Sequence, residues 1–184
     1  VYKRQVEIFL NIHIDIQNMW AYLEKKFKDF PAQQIVAKKI IELGLRIGEN
    51  RIFCGDIEIK DVALAKATGV DRRIVKATIK TIKEDKELKK LFENIWPAGA
   101  FLKNVARYLG HGVVEIEAEA DRPGILSSAA TLIASKNINI KQVHADDPNL
   151  IKNPKLTIIT EKEIPGNLIN EFLKIKGVKK VSIS

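Results

Sequence analysis

Residues 113–126 read VVEIEAEADRPGIL, and this stretch decides the fold predicted for the second half of the chain. Apolar and polar residues alternate over 113–120, which is the two-residue period of a half-buried β-strand. Pro123 and Gly124 then interrupt the strand, and a helical pattern starts at Ile125. The same two periods, followed onward, predict helices over 125–135 and 167–175 and further strands over 138–145, 156–160 and 178–183. This β-α-β-β-α-β order predicts an α+β, ferredoxin-like domain. On its first helix, the residues predicted to face inward are Leu126, Ala129, Ala130, Ile133 and Ala134.

The turn before the first helix has the chemistry of an anion site. Pro123 stiffens the loop, and Gly124 has no side chain to keep a ligand away from the backbone. The N–H groups from Gly124 to Leu126 have no partner within the helix, and the helix dipole favours negative charge there. The turn therefore suits a carboxylate such as that of a free amino acid.

These residues resemble the ACT domain family. The resemblance is carried by DRPGIL at 121–126, NINI at 137–140 and GVKKVSI at 177–183, and it covers the whole of 113–184. It implies a domain that senses a small molecule and has no catalytic role. Such domains commonly pair edge to edge, so a homodimer through this domain is expected.

The resemblance also implies an effector site shared between subunits. The effector would lie between the turn of one subunit and the second strand of its partner. Carried over by position, the candidate residues are Asp121, Gly124, Ile125, Leu126, Ile138, Asn139 and Ile140. Asp121 is the candidate partner of an effector ammonium, but it can equally cap the helix. Asn139 can equally satisfy backbone groups at the end of a strand. The resemblance also leaves open an ACT domain that binds no ligand and serves only as a dimer interface.

Positive charge is concentrated in the first half of the chain. Of a net charge of +8, residues 19–112 carry 19 Lys or Arg against 12 Asp or Glu, whereas residues 113–184 carry 10 against 9. Such asymmetry indicates an acidic partner for the first half, with DNA as the leading candidate. A generally basic chain kept soluble by its charge remains an alternative.

The stretch 61–83, DVALAKATGVDRRIVKATIKTIK, predicts a helix-turn-helix. Asp61 is expected to cap a helix ending at Thr68, Gly69 to form the turn, and Asp71 to cap the second helix. On the second helix, an apolar face is predicted at Val75, Ile79 and Ile82. A second, basic face is the candidate DNA-binding surface, formed by Arg72, Arg73, Lys76, Lys80 and Lys83.

The rest of the first half supplies supporting elements. Helices are predicted over 19–29 and 31–43, the second with an apolar stripe at Ile35, Val36, Ile40 and Leu43. A hairpin is predicted over 46–54 with its turn at 48–50, which makes the helix-turn-helix a winged one. A charged helix should follow over 84–94 and a connecting helix over 100–109, with a hinge at 110–112.

The predicted organisation therefore has four segments, a leader (1–18), a helix-turn-helix domain (19–97), a linker helix (98–112) and the ACT domain (113–184). This layout is similar to an archaeal family of predicted regulators of amino-acid metabolism. The likeness is carried by CGDIEIKDVALAKATGVDRR at 54–73 and DPNLIKNPKLTIITEKEIPG at 147–166.

The leader is predicted to be non-native or disordered. Residues 1–5, VYKRQ, resemble the in-frame translation of a transposon end, and Met19 is the sole methionine. Translation is therefore expected to start at Met19 in the native protein. A real strand remains the alternative, because apolar residues alternate strictly from Val6 to Ile16.

Several classes of function lack support in the sequence. No apolar run approaches the ~20 residues of a membrane helix, and Cys54 is the single cysteine, which suits a reducing cytoplasm. Phosphate loops, dinucleotide glycine clusters and zinc-ligand spacings do not occur, so no cofactor or metal is expected. We find no catalytic constellation and expect no enzymatic activity.

Two functions remain. In the first, the chain is a cytoplasmic transcription regulator that binds DNA through the helix-turn-helix and senses an amino acid through the ACT domain. In the second, it is a regulatory subunit that uses the ACT domain to modulate an amino-acid biosynthetic enzyme, and its helix-turn-helix docks onto protein.

Overall fold

The structure is a computed structural model that describes residues 19–119 and 122–184. The predicted leader, 1–18, lies outside the described residues. The chain divides into two compact units, the first ending at Ala98 and the second running from Gly99 to Ser184. Secondary structure is mixed α+β, with one antiparallel sheet in each unit. Within residues 19–119 and 122–184, none of the helices has the length and apolar character that spanning a bilayer requires.

The first unit is a helical body with a small three-stranded sheet in the order β1-β2-β3. Its elements are α1 (Met19–Phe27), α2 (Pro31–Glu42), β1 (Arg46–Gly48), β2 (Arg51–Cys54), β3 (Ile57–Ile59), α3 (Asp61–Thr68), α4 (Arg72–Glu84) and α5 (Lys86–Glu93). The predicted hairpin is present, and its turn residues Glu49 and Asn50 both have positive φ, at 50° and 70°. That backbone twist matches the twist of two paired strands. The third strand, β3, was not predicted.

The apolar stripe predicted on α2 is partly wrong. Val36, Ala37 and Ile40 are fully buried, whereas Ile35 and Leu43 are 52% and 48% exposed. Leu43 lies beyond the end of the helix, and Ile35 points about 100° away from Val36 around the helix axis. Ala37 occupies the inward position on the helix instead.

The helix predicted over 84–94 does not continue from α4. Asp85 is extended, with φ of −102° and ψ of 122°, and it separates α4 from α5. Its Oδ1 accepts hydrogen bonds from the N–H groups of Glu87 and Leu88, at 3.1 and 3.0 Å. Asp85 is therefore the N-cap of a new helix, whose buried face carries Leu88 and Phe92.

The second unit shows the predicted order β-α-β-β-α-β. Its elements are β4 (Gly112–Ala118), α6 (Ile125–Ala134), β5 (Ile140–Ala145), β6 (Lys155–Thr160), α7 (Leu168–Leu173) and β7 (Val178–Ile183). All strand pairs are antiparallel, in the order β5-β6-β4-β7. The core lies between the sheet and its two helices and includes the fully buried Ile116, Ile133, Ile158 and Phe172.

The inward face predicted for α6 is rotated. Ile125, Ala129 and Ile133, which are four residues apart, are the buried positions. Leu126 is 46% exposed, Ala134 is exposed and Ala130 is half-buried. The sequence placed both Ile125 and Leu126 at the start of the helix, and only the packing of the helix onto the sheet selects Ile125.

The connecting α-helix predicted over 100–109 is not present, and these residues belong to the second unit. Residues Lys103–Leu109 form a 3-10 helix that packs on the second sheet. Of the four residues expected on its apolar face, Ala106 is buried and Leu102 half-buried, while Val105 and Leu109 are 43% and 53% exposed. Gly112, expected in the hinge, is buried in β4 opposite Thr160.

Candidate nucleic-acid and ligand-binding sites

The turn between α3 and α4 has the predicted geometry. Gly69 adopts a left-handed conformation, with φ of 69°, which residues with a Cβ rarely adopt. The Val70 N–H closes the turn by donating to the Ala65 carbonyl at 3.1 Å. Asp71 caps α4 as predicted, with its Oδ1 accepting from the Arg73 N–H at 2.7 Å. The predicted cap at Asp61 is wrong, because Lys60 is the N-cap residue of α3 and Asp61 is the first residue of the helix.

The apolar face of α4 is the predicted one. Val75 and Ile82 are fully buried and Ile79 is 4% exposed, all within the core of the first unit. Thr78 is also buried, and its hydroxyl donates to the Ile74 carbonyl at 2.8 Å, so its polar atom is satisfied. This burial fixes which side of α4 is turned toward solvent.

The solvent side of α4 carries the predicted cations. The side chains of Arg73, Lys80 and Arg72 are 90%, 77% and 58% exposed, and Lys76 is exposed as well. Lys83 is half-buried, and its ammonium donates to the Asn50 side-chain oxygen at 2.7 Å. The five predicted side chains thus lie outside the core of the first unit.

Three of these cations have a carboxylate neighbour. Arg73 lies 3.0 Å from Asp71, whose pKa is lowered by the hydrogen bonds from the Arg73 side chain and backbone. The corresponding distances are 3.7 Å from Arg72 to Asp61 and 3.8 Å from Lys80 to Glu84. Within the described part of the chain, Lys76 has no carboxylate within 4.0 Å. Exposed ion pairs of this kind contribute little to stability because water and salt screen them, so a phosphate can replace the carboxylates at little cost.

A groove borders the basic face, and the sequence did not indicate it. Its volume is about 630 Å³, and Lys76, Lys80 and Lys83 on α4 and Asn50 at the hairpin tip line it together with Asp61, Ile79 and Glu84. Asn50 comes 33 residues before Lys83 in the chain. No local pattern could have predicted this contact, because only the packing of the hairpin beside α4 creates it.

The second candidate site is a cleft at the start of α6. Gly124, with φ of 93°, occupies the N-cap position, and no side chain caps the helix. The cleft has a volume of about 230 Å³, and the predicted residues Gly124, Ile125 and Leu126 line it. The adjoining walls are apolar at Ile116, Ala118, Ala145, Pro148, Pro154 and Leu156. Its size and its uncapped helix suit a small molecule with a carboxylate and an apolar side chain.

Three predicted effector residues lie elsewhere in the same chain. Ile138 is buried in the core and Ile140 packs partly against it. The Asn139 N–H donates to the Glu161 carboxylate at 3.2 Å. Ile140 is paired with Thr160, whereas the cleft borders Leu156, about 13 Å away along β6. A single chain therefore does not bring these residues to the turn, and a site containing both needs a second copy. Asp121 falls outside the described residues.

The cleft also has charged walls that the sequence reasoning missed. Arg122 donates to the Glu119 carboxylate at 2.9 Å and thereby lowers the pKa of Glu119. On the other side, the Lys155 N–H donates to Asp146 at 3.0 Å. Arg122 was visible within DRPGIL, but Asp146 and Lys155 reach the cleft only because β5 and β6 pair beside α6.

Comparison with known proteins does not assign the chain to a family. No family model matches it, and no curated protein matches it. Among solved structures, the chain is similar to the crystal structure of PH0061, with 20% identity over 68% of this chain and 78% of that chain, at a TM-score of 0.25. It is also similar to the transcriptional regulator NMB0573 from Neisseria meningitidis in complex with L-Met, with 11% identity over 83% and 86% of the two chains, at a TM-score of 0.24. At these TM-scores, neither likeness bears on the function of this chain.

Proposed function

We propose that the protein is an amino-acid-responsive transcription regulator. Its first unit binds duplex DNA through the helix-turn-helix formed by α3 and α4, and its second unit is an ACT-type domain that binds the effector and dimerises. The observation that carries the proposal is the orientation of α4. Val75, Ile79 and Ile82 face the core, and Arg73, Lys76 and Lys80 face solvent after a three-residue turn.

This orientation is the one that a recognition helix requires. A helix fits into the major groove only if one face is free of the protein core. Cations on that face neutralise phosphates or donate to base edges. The hairpin tip at Asn50 extends the same surface, so a duplex on α4 would also meet the hairpin.

The open edges of the second sheet support the proposed dimer. The strands β5 and β7 each have one edge without a partner strand among the described residues. A two-fold pair through such an edge would cover it, and it would present two copies of α4 to a two-fold DNA site. A second copy would also supply the Ile138–140 segment that the single-chain cleft lacks.

The DNA-binding part of the proposal is tested by measuring how DNA binding depends on salt concentration. With sheared genomic DNA as the probe, we expect log K to fall linearly with log salt, with a slope of about −3 or steeper. This slope corresponds to the displacement of several counterions by the cations of α4. Weak binding that does not change with salt would contradict DNA binding and favour the alternative, a regulatory subunit that docks on a biosynthetic enzyme. Ile57 and Val62 are apolar side chains that are 71% and 57% exposed, and such side chains favour the alternative in which this unit docks on a protein.

The effector-binding part of the proposal is tested by replacing Gly124 with valine. We expect one or more of the twenty amino acids to raise the melting temperature of the wild-type protein, because a ligand selective for the folded state stabilises it. Gly124→Val should abolish that increase, since its side chain would project over the exposed N–H groups. Gly99→Val is the matched control, because Gly99 also has a positive φ, at 101°, and nothing lies within 4 Å of its added Cβ. An equal ligand response in both variants would remove the site from the turn.

A further inference from the structure

Neither α6 nor α7 packs on one face of the second sheet, and a segment that includes the 3-10 helix Lys103–Leu109 lies on that face instead. The helices α6 and α7 pack on the face that carries Val114, Ile116 and Ile158. On the other face, Val113 and Ile159 are buried beneath residues 100–109, which we call the strap. The strap lies at the N-terminal end of the second unit, shortly after the last residue of the first unit, Ala98.

The strap is held to β5 chiefly by one side chain. The Gln142 amide oxygen accepts a hydrogen bond from the Leu102 N–H at 3.0 Å, and its amide nitrogen donates to the Ala100 carbonyl at 2.9 Å. Gln142 therefore binds the strap backbone much as a neighbouring strand would. Phe101 also packs on the His144 ring, with 4.8 Å between ring centroids.

A second attachment lies on β4. The Lys103 ammonium donates to the Glu115 carboxylate at 2.7 Å and lowers the pKa of that carboxyl. Ala106 is fully buried and Leu102 is half-buried on the sheet. The apolar attachment thus consists of one small side chain and one larger, partly covered one.

The strap is only weakly integrated into the unit. Its large apolar side chains remain substantially exposed, with Phe101 at 46%, Val105 at 43%, Leu109 at 53% and Tyr108 at 88%. From Lys103 to Leu109 its backbone is a 3-10 helix, in which hydrogen-bond geometry is poorer than in an α-helix. Gly99 and Gly110, which flank it, have positive φ of 101° and 70° and open space around them. Segments with few buried contacts open locally without unfolding the whole protein.

We propose that the strap is a detachable element whose docking on the second sheet sets the length of free chain between the two units. Docked, the chain is held to the sheet from Ala100 onward. Released, about ten more residues become flexible linker, with a root-mean-square span of roughly 15–20 Å. The two glycines at its ends are the points at which the backbone would turn, and Gln142 is the latch.

Hydrogen exchange tests whether the strap opens independently. In the full chain, the amides of Leu102, Val105 and His111 report on the strap, and those of Ile116 and Ile158 report on the sheet. Gln142→Ala removes both latch hydrogen bonds, so we expect strap amides to exchange about tenfold faster or more while sheet amides stay unchanged. Val143→Ala is the matched control, because Val143 is on the same strand and pairs with Ile158, on the helix-covered face. Strap amides that exchange only when the sheet amides do, in the wild type and in Gln142→Ala, would overturn the proposal.

Small-angle scattering tests the consequence for the chain connection. Gln142→Ala should increase the maximum dimension of the full chain, and Val143→Ala should leave it unchanged. Unchanged dimensions in Gln142→Ala, despite faster strap exchange, would show that the strap does not control the connection. Neither experiment requires DNA or an effector, so failure here is distinct from failure of the proposed function.

Discussion

Replacing Arg73 and Lys76 together with alanine will weaken duplex DNA binding by about 30-fold or more at moderate salt. Both side chains are exposed on α4, and each would make a charge-assisted contact to a phosphate or base edge. The log K against log salt slope should also become shallower by about two, one for each lost contact. A fluorescence-anisotropy titration at several salt concentrations measures both quantities.

The matched control for this variant removes the same charge elsewhere. Lys25 and Lys28 are exposed at the end of α1 and just after it, away from the groove beside α4. The Lys25→Ala, Lys28→Ala protein has the same net charge as the α4 variant and should bind DNA nearly as well as the wild type. Equal losses in the two proteins would mean that binding depends on net charge and not on α4. Urea denaturation should show both variants unfolding at nearly the same midpoint as the wild type, since exposed substitutions have small effects.

Replacing Asp85 with alanine will cost about 3 kcal/mol of folding free energy. Besides capping α5, the Asp85 carboxylate accepts from the Tyr22 hydroxyl and from the Lys26 ammonium, both at 2.7 Å. Loss of the cap costs about 1 kcal/mol, and loss of hydrogen bonds to a charged group costs about 2 kcal/mol more. Urea denaturation monitored by tryptophan fluorescence measures the change. Asp85→Asn keeps an oxygen for the cap but no charge, and it should lose about half as much. Wild-type stability in Asp85→Ala would contradict the role assigned to this carboxylate.

The same residue makes stability depend on pH in the acid range. Burial by itself raises the pKa of Asp85, but hydrogen bonds from Leu88, Lys26 and Tyr22 outweigh it and lower the pKa to about 2. The group therefore binds a proton more readily in the unfolded chain, where its pKa is near 4. Its contribution, about 2 kcal/mol, is complete above about pH 5 and is lost as the pH falls through 4 toward 2. The unfolding free energy of Asp85→Asn should fall less steeply between pH 5 and pH 2 than that of the wild type.

Where sequence periodicity was strong, it predicted the elements well. In the second unit, the strands predicted over 113–120 and 156–160 correspond to β4 (Gly112–Ala118) and β6 (Lys155–Thr160), and the β-α-β-β-α-β order was correct. In the first unit, the Gly69 turn, the Asp71 cap and the buried Val75, Ile79 and Ile82 were all predicted. Each of these features depends on residues that are close together in the sequence, within a single strand or within one or two turns of a helix.

The errors occurred where contacts between residues distant in the sequence outweighed the local sequence pattern. The strand β3 has only three residues, Ile57–Ile59, and its pairing with β2 stabilises it more than its own propensity does. Asp85 sits inside a run of helix-forming residues, and the long-range contacts of its carboxylate to Tyr22 and Lys26 favour the break. The strap over 100–109 has helical spacing, but the sheet beneath it, through Gln142 and Ile159, selects a tighter 3-10 helix.

The sequence alone determined which residues can carry the proposed chemistry, the cations of α4 and the bare turn at Gly124, because charge and backbone freedom are properties of individual residues. Only the tertiary structure decided which groups meet. It brought Asn50 beside Lys83, Asp146 and Lys155 beside the start of α6, and Gln142 beneath the strap, and it separated Ile138–140 from the turn. The physical reason is that these contacts join residues about 20 or more positions apart, and their geometry depends on how sheets and helices bury their shared apolar faces, which no local pattern encodes.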